Sequence, residues 1–203
     1  MDVARADTFG SRMREQLGGA IREAEDIDRA VYGAIARTPS PTLDEGLRLL
    51  SNAANNSKLW FGLAGGLALL AGRTGRRAAL RGVAAIAVTS PLVNLGAKAI
   101  HERERPDRAG AGVPVSRHVR MPTTASFPSG HSASGFAFAA AVGHEIPALA
   151  VPLRLLAATV AYSRVHTGVH YPGDAVVGSI VGGGTGSMVA RAMDRVVHRW
   201  VTR

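Results

Sequence analysis

No cysteine occurs among the 203 residues, which excludes disulfides, thiolate metal ligands and a thiol nucleophile. Lysine is nearly absent. Lys58 and Lys98 are the only two, so almost all of the positive charge is arginine. Aromatic residues make up 5% of the chain while Ala and Gly are abundant, a composition that packs helices closely rather than filling space with rings. No apolar run reaches the roughly 20 residues that a full membrane crossing needs. Met1 to Arg14 is charged and holds no continuous apolar stretch, so it does not read as a secretion signal.

What is present begins with charge. The formal net charge is +9, from 24 Lys and Arg against 15 Asp and Glu, which calls for an anionic partner: nucleic acid, a phospholipid surface or a phosphorylated substrate. A hydrophobic share of 46% and a mean hydropathy of +0.09 do not separate a soluble protein from a membrane one. The length suits one compact domain, or a domain with a short appendage.

Residues 1–58 form a polar first section. Ile21, Ile27, Val31 and Ile35 recur near helical spacing, which predicts a helix over 12–36 that Pro39 and Pro41 break. Thr42 is the expected cap of a second helix carrying Leu43, Leu47 and Leu50, with Glu45 three residues on. Both are too charged to span a bilayer and read as interfacial or surface-packing helices.

From Leu59 the character changes. Five apolar runs follow, at 59–72, 82–97, 132–142, 148–160 and 175–189, with few charges inside them. Trp60 stands where an interfacial anchor would sit. Gly178, Gly182 and Gly186 make two overlapping G-x-x-x-G steps, and Gly62 with Gly66 makes another, the spacing of close helix contacts in lipid. Arg154, within the fourth run, must reach an interface or pair internally. The expected fold is all-α: a polytopic membrane bundle of about five transmembrane helices over 59–203, preceded by amphipathic helices over 1–58. A soluble all-α core is the alternative. The loops fall into two sets: 73–81, 144–147 and the C-terminal tail on one side, and 98–130 and 163–172 on the other.

The second set carries the chemistry, in three segments: Lys98 to Pro106, Pro128 to His131, and Ser163 to Asp174. Lys98, Arg105 and Arg164 offer three cations for a phosphoryl group. Ser129 and the Gly130 N–H are neutral donors, Gly allowing close backbone approach to an anion. His131 opens an apolar helix, whose N-terminus favours anions. Asp174, four residues after His170, can hold one imidazole nitrogen and aim the other. Taken singly, each has an ordinary reading as a cap, a turn or a surface group. His101, His118 and His166 stay in that class, His166 lying one turn before His170.

Taken as a set, the segments resemble the type 2 phosphatidic acid phosphatases (lipid phosphate phosphatases), whose pattern is Lys-x6-Arg-Pro, Pro-Ser-Gly-His and Ser-Arg-x5-His-x3-Asp. Lys98, Arg105, Pro106, Pro128 to His131, Ser163, Arg164, His170 and Asp174 fill every specified position. The match spans residues 98–174 and, with its flanking helices, about two thirds of the chain; residues 1–58 lie outside it. The resemblance implies a phosphatase acting through a phosphohistidine on His170, oriented by Asp174. His131 would be the acid and then the base. Lys98, Arg105, Ser129, Gly130 and Arg164 would hold the phosphoryl oxygens, with neither metal nor cofactor. It further implies a lipid phosphate substrate, such as a polyprenyl phosphate or diphosphate or a phosphoglycerolipid, and a site on the outer face of the cytoplasmic membrane. The Arg- and Ala-rich chain is similar to actinobacterial members, for which polyprenyl-linked cell-wall intermediates are the expected substrates. A homo-oligomer stays open.

Two alternatives remain. Soluble acid phosphatases and vanadate-dependent haloperoxidases share the three motifs. A basic non-catalytic membrane or nucleic-acid binder fits the charge, but no aromatic stacking platform or nucleic-acid motif accompanies it, so no nucleic-acid partner is expected.

Overall fold

The computed structural model describes residues 3–97 and 103–201, and among them every regular element is helical. Seven α-helices follow in order: α1 (Val3–Arg37), α2 (Pro41–Ala53), α3 (Lys58–Leu70), α4 (Gly72–Pro91), α5 (Gly130–Glu145), α6 (Ala150–His166) and α7 (Pro172–Val201). Pro91 lacks the N–H that would continue α4, and the chain passes into a π-helical turn, Leu92–Ala97.

Helix boundaries depart from the apolar runs for physical reasons. Proline needs no hydrogen-bond partner in the first turn, so α2 starts at Pro41 with Ser40 as its N-cap, not at Thr42. The Ser40 hydroxyl donates instead to Asp44 at 3.0 Å. The arginines expected in a loop before residue 82 ride on the first turns of α4, because Arg is a good helix former and the heads of Arg73, Arg76 and Arg77 reach solvent. Arg154 is likewise exposed near the start of α6.

Helix α5 runs through the middle and meets α4, α6 and α7. Ala133, Ala137, Ala139 and Ala141 are fully buried along it. The glycine steps of α7 explain the close approach. A Cβ at Gly178, Gly182 or Gly186 would strike the backbone of Ser129, Ala133 or Ala137, so this seam admits only glycine. Gly62 and Gly66 face no such neighbour, and that expected seam is absent here. Trp60 is not an interfacial anchor: its ring is wholly buried, 5.5 Å from Phe138 and against Gly135, filling space that glycine leaves.

Two stretches, Gly72–Gly96 and Pro147–His166, are long and apolar enough to cross a membrane. Leu69, Leu70, Leu95, Leu155, Ile180 and Met188 point outward from the bundle, an apolar exterior that water would not favour.

Helices α1 and α2 are tied to one end of this bundle. The buried Arg117 guanidinium donates to Asp44 at 2.8 Å and to the carbonyls of Ile35, Ala36 and Thr38, closing the turn between them. Asp44 also accepts from His166 at 2.8 Å. Burial disfavours the Asp44 charge, but hydrogen bonds from His166 and Ser40 and the Arg117 cation hold its carboxyl below the usual range. The first section is thus fastened to the same end as residues 103–130 and the start of α7.

Candidate active site

Four of the expected residues are placed by helix starts. Ser129 is the N-cap of α5, and Gly130 and His131 begin that helix. His170 lies between α6 and α7, and Asp174 sits in the first turn of α7. The backbone N–H of Ser129 donates to the Asp174 carbonyl at 2.9 Å, which ties the two helix starts together. Gly178, against the Ser129 carbonyl, permits that approach.

A cavity of about 220 Å³ opens between them and is lined by His170, His131, Arg105 and Gly130. His170 is buried, with its Nδ1 3.4 Å from both Asp174 Oδ2 and Ser126 Oγ. Its Nε2 lies 3.4 Å from Arg105 Nη1. The Arg105 fork is fixed by the carbonyls of Thr124, Ala125 and Val169 at 2.9, 3.1 and 2.9 Å. Burial pushes the His170 imidazole down to about 4; Asp174 opposes the shift, and the cations of Arg105 and Arg164 add to it. At neutral pH the ring is therefore uncharged, with a lone pair to offer.

Asp174 is fully buried and accepts from the Ser126 hydroxyl, the Tyr171 N–H at 2.9 Å and Arg103 Nη1 at 2.9 Å. Arg103 Nη1 also donates to Asp28 of α1 at 2.7 Å, and Asp28 in turn accepts from the Gly173 N–H at 2.6 Å. The Arg103 guanidinium lies 4.2 Å over the Tyr171 ring. An Asp28–Arg103–Asp174 chain thus reaches from the first section to the residue that faces His170.

The other expected residues differ in placement. Arg164 is fully buried and donates through Nη1 to Ser51 Oγ at 2.6 Å, while its Nε and Nη2 have no partner among the described residues. Orphaned buried guanidinium donors cost free energy unless an acceptor arrives, and a phosphoryl oxygen is such an acceptor. The Ser129 hydroxyl is turned to its own helix, 3.0 Å from Ser132 Oγ and 3.4 Å from the Ser132 N–H. Lys98 and His101 lie outside the described residues. His118 contacts the Val113 carbonyl at 3.2 Å, away from the cavity.

Sequence reasoning missed Asp28, Ser51, Asn55, Arg103 and Ser126. His131 Nε2 is 3.0 Å from Asn55 Oδ1, in the turn between α2 and α3. Asp28, Ser51, Asn55 and Ser126 lie before or between the motif segments, and Arg103 lies inside the first. Arg103, two residues before Arg105, had the only local signal: a cation among acids.

A family model described as PAP2 superfamily matches residues 79–197. Decaprenylphosphoryl-5-phosphoribose phosphatase of Mycolicibacterium smegmatis is 34% identical over 166 residues, covering 80% of this chain and 84% of that protein. The protein of the same name from Mycobacterium tuberculosis is 36% identical over 96 residues, 45% of this chain and 49% of its own. The transmembrane PAP2 type phosphatidylglycerolphosphate phosphatase of Bacillus subtilis shares the fold, with a TM-score of 0.65 at 21% identity over 86% of this chain and 88% of that one. LpxE of Aquifex aeolicus does so with a TM-score of 0.62 at 24% identity over 80% and 93%.

Proposed function

The chain belongs to the PAP2 superfamily and is a lipid phosphatase, and from that premise we propose that it cleaves a phosphomonoester of a polyprenyl-linked lipid through His170. The observation that carries this reading is the shared cavity of His170 and His131, with Nδ1 of His170 toward Asp174 and Nε2 toward Arg105.

The neutral Nε2 attacks phosphorus, an N–P bond forms, and the P–O bond to the leaving group breaks. The electron pair departs on oxygen, which takes a proton from His131. His131 then takes a proton from water, the hydroxide attacks phosphorus, the N–P bond breaks and inorganic phosphate leaves. Asp174 orients His170 and stabilises its growing positive charge. Arg105, the free donors of Arg164, the Gly130 N–H and Lys98 hold the phosphoryl oxygens. Ser129 contributes by capping α5, which keeps the Gly130 N–H at a helix N-terminus.

Helices α3 to α7 would be five membrane crossings, with α1 and α2 lying along the surface at the active-site end and the end of α7 at the other. Basic residues gather at the end opposite the cavity, at Arg73, Arg76, Arg77, Arg191 and Arg195, which favours the cytoplasm there and an extracytoplasmic site. Because the chain has no cysteine, Arg14→Cys and Thr74→Cys can be labelled singly in intact cells. Only the first is expected to react with an impermeant reagent.

The substrate is tested by phosphate release in detergent micelles from prenyl phosphates, prenyl-linked sugar phosphates and phosphoglycerolipids. Turnover of a prenyl-linked phosphomonoester by the wild type, lost in His170→Ala, is expected. Equal activity of the two proteins would end this reading.

A further inference from the structure

The cavity is chemically two-sided. At the His170 end stands Arg105, with Arg164 close by; at the His131 end the lining is neutral and polar: Asn56, Ser57, Ser90 and Asn94. Two contacts tie this wall to the start of α5. Asn55 reaches His131 Nε2, and Asn94 Oδ1 lies where it would be 3.1 Å from a Cβ on Gly130. Asn94 spends its amide N–H on Ser90, 2.9 Å from the carbonyl, which leaves its oxygen to accept.

The turn that carries this wall is strained. Asn56 and Ser57 adopt φ of 53° and 58°, two successive left-handed residues that are not glycine. In that conformation Cβ crowds the backbone, more so for Ser57 than for Asn56. Neither side chain makes a hydrogen bond among the described residues. Glycine would relieve the strain, yet both positions present a hydrogen-bonding side chain to the cavity.

We propose that Asn55–Ser57, with Ser90 and Asn94, forms the leaving-group subsite and selects phosphomonoesters whose leaving group carries hydroxyls, as a sugar does. This rests on the assignment of His131 as the leaving-group acid. In an in-line displacement the leaving group departs on the side away from the nucleophile, so the wall beside the acid is the one it touches. A bare prenol there would offer nothing to the side chains of Asn56 and Ser57 or to the Asn94 oxygen, whereas a hydroxylated ring would hydrogen-bond with them. Asn55 is a positioning residue that holds His131 against that ring. The subsite comes largely from the turn before α3, outside the residues that the superfamily model covers.

The test compares kcat/KM for a farnesylphosphoryl ribose 5-phosphate and for farnesyl phosphate in the same micelles. The wild type is expected to favour the sugar phosphate by about a hundredfold or more. The double variant N56G/S57G keeps the backbone conformation at ease while removing both side chains, and is expected to cut that preference at least about tenfold; N94A is expected to act in the same direction. Asn55→Ala should slow both prenyl-linked substrates more than p-nitrophenyl phosphate, whose leaving group needs little protonation. A wild type without the preference, or an N56G/S57G variant that keeps it, would overturn the subsite. Turnover of neither lipid by the wild type would overturn the underlying prenyl-lipid reading, and this inference with it.

Discussion

Two charge clusters, each built on a largely buried arginine, stand at opposite ends of the bundle, about 30 Å apart along α7 from Asp174 to Asp194. At the far end Arg81 donates to Glu145 at 2.8 Å, to Asp194 and to the Ala190 carbonyl at 2.8 Å, and His144 reaches Asp194 at 2.7 Å. Every nitrogen of that guanidinium has a partner. At the near end Arg103 is shared between Asp28 and Asp174, and Arg108 donates to the carbonyls of Gly168 and Val119, yet among the described residues Arg103 Nη2, Arg108 Nη2 and two nitrogens of Arg164 have no partner. The chemistry of the two ends is alike. The difference lies in the unspent donors; under the proposed mechanism those of Arg164 are met when a phosphoryl group arrives.

Substitutions should separate the two ends sharply. His170→Ala removes the proposed nucleophile, and turnover should fall on the order of ten-thousandfold or more. His131→Ala should cost roughly a hundred- to ten-thousandfold on a prenyl-linked substrate. Next comes Asp28→Asn. It frees Arg103 from α1 and disturbs Asp174 only at second hand, so kcat should drop about tenfold with KM little changed, and Asp28→Glu should recover part of the loss. A fall in thermal midpoint with unchanged kcat would make Asp28 a structural tie only. At the far end Arg81→Gln should show the opposite pattern: kcat/KM within about twofold of wild type, and a midpoint lower by roughly 5–10 °C, since breaking a buried pair leaves charge uncompensated.

The finest distinction is protonation. The His170 ring should stay neutral to about pH 4 in the resting protein, followed by its ring nitrogen shifts. The unfolded chain binds a proton there near pH 6.5, so the stability this neutral ring contributes is present above that value and is lost as pH falls toward 4. A His170 signal titrating near 6.5 would remove the basis for a buried, neutral nucleophile.

How much of this the sequence disclosed follows from the range of each interaction. That His170 and Asp174 face each other was legible because they stand four residues apart at a helix start, a local spacing that sequence displays. The seam of Gly178, Gly182 and Gly186 was legible for the same reason. Helix ends were not, because Arg73 to Arg81 and Arg191 onward extend helices with polar turns that a hydrophobic count discards. Trp60 was misplaced because burial is decided by Gly135 and Phe138, far along the chain. The first section was the main loss. Asp28, Ser51 and Asn55 pair with residues more than 70 positions away, and a polar residue on a charged helix gives no local sign of such a partner.

The central claim is that His170 carries phosphate between the lipid and water. Rapid quench of the enzyme with a lipid labelled in its terminal phosphate tests it directly. An acid-labile, alkali-stable phosphoprotein mapping to His170 is expected, absent in His170→Ala. In His131→Ala, slowed in both steps, it should still form when an activated aryl phosphate replaces the lipid. Phosphate release at the wild-type rate with no label on His170, or from the His170→Ala variant, would contradict the account.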